Sequence, residues 1–305
     1  MRRAAWAVAM AMALAGRALA VPSEIFGLQQ GQDGFTHILR YDTGTNSFYD
    51  CGPSLVGFGT NLAMDANRRL YYMNPFPAFV MYQADLDSGN NLINQQVHDT
   101  LSASLSIIDG FTVGPNQDMY MTGYGLSQIY RYVIGSGTGT VTTEVTLGPK
   151  VGSEEYRSDL AFDPITGYLV GIGIRPDGVR RSLFQIPASV AMNGVNDNYP
   201  WEYFGGNSSP WAAPTFNLQD LLGGNPDGVA FDFTTGDLYL SGDGERFSLW
   251  DRNNATLTNY ILGSSGQDTL MGWDLAFQQA AIPEPATLSL LALGGLALLR
   301  RRARR

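Results

Sequence analysis

Short apolar segments, each followed by a polar turn and a second apolar segment, recur along most of the chain. Five of them align with one another, at residues 62–65, 111–114, 160–163, 229–232 and 275–278. The third residues of these segments are separated by 49, 49, 69 and 46 positions. A regular spacing of this length indicates a repeated supersecondary unit, so the chain is expected to be built from similar small modules.

Four of the aligned segments continue through a turn into a second predicted strand. Residues 162–169 and 231–238 share the pattern Phe-Asp-x-x-Thr-Gly-x-Leu. In such a turn the aspartate accepts hydrogen bonds from backbone amides, and the glycine tolerates a positive φ. A third predicted strand follows each hairpin at residues 80–84, 129–133, 183–186 and 249–251, with a weaker fourth at 141–147 and 256–262. Each repeat therefore predicts a small sheet of antiparallel strands.

Four short strands in a repeat of this length are typical of a β-propeller blade. The segment Trp273 to Gln278 has the pattern of an innermost strand, with no further strand after it. Residues 25–29, 37–42 and 47–50 supply three strands with no innermost strand before them. We therefore expect an all-β body of five four-stranded blades, closed by pairing of the N- and C-terminal segments. A β-sandwich, two smaller sheets and a six-bladed ring are the alternatives.

The one long interval between repeats contains an insertion, Ser189 to Asn225. Its length fits either a long loop or a degenerate blade. Trp201, Tyr203 and Trp211 in this segment are candidates for a platform on which sugar rings stack, because aromatic side chains offer flat apolar area with a polar handle. The alternative is that these aromatic side chains only hold the insertion against the blade beneath it.

Acidic and amide side chains stand where the innermost strands begin. In a propeller these positions converge around one mouth of the central channel, where they are candidate ligands of a cation such as calcium or hydrogen-bond partners of a sugar. The residues are Asn61, Asp109, Asp159, Asp227 and Asp274. Aspartates at such positions also commonly accept bonds from backbone amides of the preceding turn, which is the structural alternative.

The N-terminus has the pattern of a secretory signal peptide over residues 1–20. Arg2 and Arg3 precede an apolar run, and Ala18 and Ala20 supply the small residues that signal cleavage requires. The apolar run is shorter than the roughly 20 residues that span a bilayer, which favours a cleaved signal over a retained anchor. The mature protein is therefore expected to begin at Val21.

The C-terminus combines Pro283, Glu284 and Pro285 with an apolar run, Thr287 to Leu299, and five arginines after it. This arrangement resembles the PEP-CTERM sorting signal of exopolysaccharide-producing Gram-negative bacteria. The resemblance covers residues 281–305 and leaves 21–280 as the body. It implies export by the secretion machinery, a transient stay in the inner membrane, and processing by an exosortase near the motif. It also implies a place at the cell surface or in extracellular matrix, associated with exopolysaccharide and biofilm.

Charge and chemistry narrow the choice of function. The formal net charge is -9, and the body without its two terminal segments carries 11 basic and 27 acidic residues, or about -16. Such a body repels nucleic acid and anionic membrane surfaces, so cations and uncharged glycans are more compatible partners. The single cysteine, Cys51, excludes an internal disulfide and fits either burial or pairing between molecules.

Catalytic patterns are sparse, because the only two histidines have no evident nucleophile or metal partner in the sequence. We therefore expect a non-catalytic binding or structural body. The alternative is a metal-dependent propeller hydrolase of the lactonase or esterase type, in which a metal at the channel mouth activates water.

Overall fold

The computed structural model describes most of the chain between Glu24 and Phe277. The described ranges are 24–31, 33–42, 47–57, 59, 61–74, 79–102, 108–123, 128–147, 159–174, 181–192, 197–199, 202–203, 226–232, 235–242, 246–251, 254, 256–261 and 275–277. The predicted signal peptide and the sorting segment lie outside these ranges. No helix within them is long and apolar enough to cross a membrane.

The described part of the chain consists almost entirely of β-strands, with one short helix, α1 (Ala188–Ala191). In chain order the strands are β1 (Glu24–Gln30), β2 (Thr36–Asp42), β3 (Ser47–Pro53), β4 (Asn61–Met64), β5 (Leu70–Asn74), β6 (Val80–Leu86), β7 (Leu92–Thr100), β8 (Ile108–Val113), β9 (Met119–Gly123), β10 (Gln128–Tyr132), β11 (Val141–Leu147), β12 (Leu160–Phe162), β13 (Tyr168–Ile174), β14 (Arg181–Pro187), β15 (Asp197–Tyr199), β16 (Glu202–Tyr203), β17 (Pro226–Phe231), β18 (Leu238–Gly242), β19 (Arg246–Asp251), β20 (Thr256–Ile261) and β21 (Leu275–Phe277).

These strands form five small sheets, which we name A to E. Their strand orders are β21-β1-β2-β3 in sheet A, β4-β5-β6-β7 in sheet B, β8-β9-β10-β11-β15 in sheet C, β12-β13-β14-β16 in sheet D and β17-β18-β19-β20 in sheet E. Every pairing is antiparallel except that of β11 with β15. The first strand of each order is called its innermost strand. The all-β architecture of small antiparallel sheets expected from the sequence is therefore present.

Sheet A is assembled from the two ends of the described chain. Strand β21 lies against β1, with Ile25 opposite Phe277 and Gly27 opposite Leu275. The pairing of N- and C-terminal segments predicted from the sequence is thus found. Because the innermost strand of sheet A comes from the end of the chain, this sheet forms only after the rest of the body has been synthesised.

The sheets contact one another in a cyclic order. Each innermost strand contacts the next, from β4 to β8, β12, β17 and β21, and β21 contacts β4 again. An apolar cluster occupies each interface between consecutive sheets. Examples are Phe26 with Leu62 between sheets A and B, and Ile25 with Ala230 between sheets E and A. Because a sheet with two apolar faces must bury both, the cyclic arrangement satisfies all five sheets at once.

The hairpins between the first and second strands use the turn chemistry that the repeat pattern predicts. Asp163 Oδ1 accepts a bond from the Ile165 amide at 2.9 Å, and Gly167 has a φ of 70°. Asp232 Oδ1 accepts from the Thr235 amide at 3.1 Å. Gly114 stands at the aspartate position of sheet C. A β-carbon there would lie 2.7 Å from a ring carbon of Tyr120, so no larger residue fits without displacement.

The insertion between sheets D and E is neither an isolated loop nor a separate sheet in its described part. Helix α1 follows β14 directly. Strand β15 adds to the outer edge of sheet C in parallel with β11, and β16 is the outermost strand of sheet D. The insertion therefore connects the outer edges of two neighbouring sheets.

Candidate functional site

Two ends of the body are distinguished by the direction of the innermost strands. We call the end where these strands begin, at residues such as Asn61 and Leu160, the upper face, and the end where they finish the lower face. The chain returns to the upper face each time it passes from one sheet to the innermost strand of the next. The candidate ligands Asn61, Asp109, Asp159 and Asp227 belong to the upper face, as expected for residues that precede or begin innermost strands.

Asp159 is fully buried at the upper face, immediately before β12. Its Oδ1 accepts a hydrogen bond from the Leu160 amide at 2.7 Å, and its Oδ2 accepts one from the Val229 amide at 2.6 Å. Val229 lies in β17, so the carboxylate links the innermost strands of sheets D and E. Both bonds go to backbone amides, although not to those of the preceding turn that the structural alternative named. A role of Asp159 as a cation ligand stays a prediction.

The other candidate ligands differ in how the chain positions them. Asn61 is fully buried at the start of β4. Asp109 and Asp227 occupy equivalent places, because the pairing register of β8 and of β17 shifts by one residue at each of them. Such a β-bulge redirects a side chain and is frequent next to functional sites. The structure describes the backbone but not the side chains of these two aspartates, and Asp274 lies outside the described residues.

No convergent set of three or more histidine, cysteine or carboxylate residues suitable for a metal ion occurs in the described ranges. The candidate ligands whose side chains lie outside this search are Asp109, Asp227 and Asp274. Calcium binding remains a proposal that depends on those residues.

The predicted aromatic platform is placed only in part. Tyr203 lies in β16, where its backbone pairs with that of Phe184 at the outer edge of sheet D. Trp201 and Trp211 lie outside the described residues, so the sugar platform also stays a prediction.

A charged group that the sequence did not single out lies at the same face. His37 Nδ1 lies 2.8 Å from Asp50 Oδ2, and Nε2 lies 3.1 Å from Asp33 Oδ2. When the imidazole is protonated, both ring nitrogens donate to these two carboxylates. Burial by itself lowers the pKa of His37, but the hydrogen bonds and charges of the two aspartates outweigh it and raise the pKa above 6.5.

The side chains beside this group are apolar and exposed. Phe35 and Leu55 are 45% and 49% exposed, and they flank Thr36, whose amide donates to the carbonyl of Val56 at 3.0 Å.

The only signal in the sequence for the group around His37 was the interval of four residues between Asp33 and His37. Asp50 joins them through the pairing of β2 with β3, which a local pattern does not reveal.

A second group missed from the sequence lies at the lower face. Glu24, which is buried, accepts from Arg40 at 2.5 Å and from Arg68 at 2.7 Å. Arg68 also donates to Asn90 at 2.5 Å, and the Arg40 guanidinium lies 4.5 Å from the ring centre of Tyr49. The group therefore joins the first strand of the body to two turns of sheet B.

Cys51 is buried in the interface between sheets A and B and forms no disulfide. Burial raises the pKa of its thiol to about 12. The raised pKa favours the protonated thiol at physiological pH, and the burial of Cys51 favours the first of its two interpretations over pairing between molecules.

Comparison with known families identifies the C-terminal segment. Residues 281–305 match the model of the PEP-CTERM protein-sorting motif. The chain thus carries this motif, and the resemblance drawn from Pro283, Glu284 and Pro285 is confirmed. The motif marks an exported protein with an exosortase as its processing partner. No curated protein sequence matches the chain.

Three solved structures are similar to the chain at low sequence identity. A structural genomics protein of unknown function from Bacteroides thetaiotaomicron VPI-5482 is 13% identical, with a TM-score of 0.51 over 86% of this chain and 64% of that chain. TolB from Acinetobacter baumannii is 11% identical, with a TM-score of 0.46 over 79% and 53%. A chain of a nidogen/laminin complex is 11% identical, with a TM-score of 0.49 over 85% and 99%. The chain therefore spans less than two thirds of the first two proteins.

Proposed function

We propose that this chain is an exported, exosortase-processed protein whose body is a five-bladed β-propeller with a non-catalytic binding or structural role. Its place would be the cell surface or the extracellular matrix, with exopolysaccharide as the candidate partner. The sorting motif at residues 281–305 is the observation that carries this proposal. The motif follows the last strand of the body by only three residues, so its removal would leave the described strands intact.

The cyclic order of the sheets supports the propeller interpretation. Five innermost strands contact one another in sequence, and each interface between consecutive sheets holds an apolar cluster. A sandwich would instead pack two sheets face to face around a single core. The described strands of the insertion extend sheets C and D, so they add no sixth blade.

Composition supports a neutral or cationic ligand rather than an anionic one. The body carries a formal charge of about -16, and such a charge repels nucleic acid and other polyanions. The upper face is the preferred binding face, because Asp109 and Asp227 lie on β-bulges there and the connections between sheets end there. Trp201 and Trp211 belong to the insertion that reaches sheets C and D, and they provide the candidate sugar platform.

Binding of the purified body, residues 21–280, to exopolysaccharide from the native host tests this function. We expect Trp201→Ala with Trp211→Ala to weaken binding at least tenfold, or about 1.4 kcal/mol, because each substitution removes a large aromatic surface on which a sugar ring can stack. Tyr49→Ala is the matched control, since Tyr49 is 43% exposed in β3 on another sheet. Equal affinities for the three proteins would contradict the proposed platform.

The same preparation tests the hydrolase alternative. Turnover of lactones or esters that requires calcium, and that is lost in Asp227→Ala and Asp274→Ala, would replace the binding proposal with an enzymatic one. Asp159 is unsuitable for this test because its carboxylate links two strands.

A further inference from the structure

The chain enters the first strand of the body and leaves its last strand at adjacent points of the lower face. Strand β1 begins at Glu24 and β21 ends at Phe277, and the two strands are antiparallel with Ile25 opposite Phe277. Directly paired residues in antiparallel strands have Cα atoms about 5 Å apart. The chain that precedes β1 and the chain that follows β21 therefore start side by side.

The linker to the sorting segment is short. Three residues separate Phe277 from the motif at 281, and ten steps of the chain lead from Phe277 to Thr287, where the apolar run begins. Ten residues span at most about 35 Å when fully extended. An anchored precursor therefore keeps its lower face close to the bilayer that holds the apolar run.

The first-hairpin turns of the lower face expose few negative charges, although the body as a whole is acidic. Asp65, Asp163 and Asp232 lie in these turns, but all three are buried. Their carboxylates accept bonds from turn amides. Asp65 Oδ1 alone accepts from two of them, each at 2.9 Å.

The residues at the tips of the same turns are uncharged or basic. Asn67, Asn116 and Thr235 are exposed, and Ile165 is 58% exposed. The side chain of Arg69 is 40% exposed. These tips are the least acidic part of the lower face, because Arg69 is paired with Asp85 and the turns between third and fourth strands at the same face carry Asp87 and Asp251.

We infer that the lower face is the membrane-facing surface of the anchored precursor, and that its partner is the phospholipid bilayer holding residues 287–299. The upper face then points away from the membrane and can bind ligand before the tail is removed. This orientation rests on the proposed sorting step.

Site-directed spin labelling of the full chain in phospholipid vesicles tests the orientation. Cys51 does not interfere, since it is buried and its thiol pKa is raised to about 12. Labels are attached at Ile165→Cys and Asn67→Cys on the lower face, and at Leu55→Cys and Phe35→Cys on the upper face. All four positions are exposed, so the substitutions leave the interfaces between sheets unchanged. The measurement is the collision rate of each label with a nickel-chelating lipid, relative to a soluble nickel chelate.

We expect the relative collision rate with lipid-bound nickel to be about threefold higher at residues 165 and 67 than at residues 55 and 35, because the linker holds the lower face near the lipid. Equal rates at both faces, or higher rates at the upper face, would overturn the inferred orientation while leaving the sorting step intact. Failure of the full chain to float with the vesicles would overturn both the orientation and the anchored intermediate.

Discussion

Replacement of Asp159 removes two backbone hydrogen bonds, of which the one from Val229 connects the innermost strands of sheets D and E. The side chain of Asp159 is fully buried, and its two oxygens accept the Leu160 and Val229 amides at 2.7 and 2.6 Å. Asp159→Ala leaves both amides buried without a partner. Each unsatisfied amide costs about 1–3 kcal/mol, so we expect a loss of about 2–6 kcal/mol in the free energy of unfolding. That loss is a large fraction of the about 5–15 kcal/mol that stabilises a typical domain.

Urea denaturation of residues 21–280, followed by tryptophan fluorescence, measures this loss. We expect a lower midpoint with an unchanged slope, because a change in slope would signal altered compactness. Asp87→Ala is the control. Its carboxylate also accepts backbone amides, from Gly89 and Asn91, but in an exposed turn, so the change in midpoint should be much smaller.

The outcome also separates the two roles considered for Asp159. If Asp159→Ala unfolds at the same urea concentration as Asp87→Ala, the carboxylate does not hold the two sheets together. If the loss of stability appears only when calcium is present, Asp159 acts as a cation ligand, and the reasoning from its backbone bonds fails.

Three further predictions concern the other groups of the body. The pKa of His37 in the folded protein is raised above 6.5. Its stabilising contribution is therefore complete below about pH 6 and is lost as the pH rises through the folded pKa. In urea denaturation, His37→Gln should destabilise the body more at about pH 5.5 than at about pH 8.5. The opposite trend would contradict the pairing with Asp33 and Asp50. Glu24→Ala should lower the unfolding free energy by about 3 kcal/mol, since it leaves two guanidinium groups without their shared carboxylate, and a thermal or urea midpoint equal to wild type would contradict this. Cys51 should react with a thiol reagent at about pH 8 only after urea is added, and rapid labelling of the native body would show that its burial is wrong.

The repeat architecture could be predicted from the sequence because each repeat contains a short recognisable pattern. The hairpins around Asp163 and Asp232 depend on a turn aspartate and on a glycine with positive φ, and both appear in a pattern of eight residues. The pairing of β21 with β1 was accessible for another reason. The N-terminal segment lacked an innermost strand, and the C-terminal segment contained an innermost strand with no second strand after it.

Side-chain groups that are assembled from distant segments of the chain could not be predicted in this way. Glu24, Arg40 and Arg68 come from three separate segments, and no spacing in the sequence relates them. His37 has one partner four residues away, but its second partner, Asp50, is set by the register of β2 against β3. The insertion was ambiguous because β15 and β16 have three and two residues, too short for a periodic pattern.

The mass and peptide content of the protein isolated from the cell surface test most directly the claim that the chain is exported and processed at its sorting motif. Intact-mass and peptide analysis of the surface fraction from the native host should find a chain that begins at Val21 and contains no peptide from Leu288 to Arg305. Such a chain would retain β1 and β21 and so the complete sheet A. A surface protein that still carries the arginines after Leu299 would contradict processing at the sorting motif and, with it, the proposed release of a complete body.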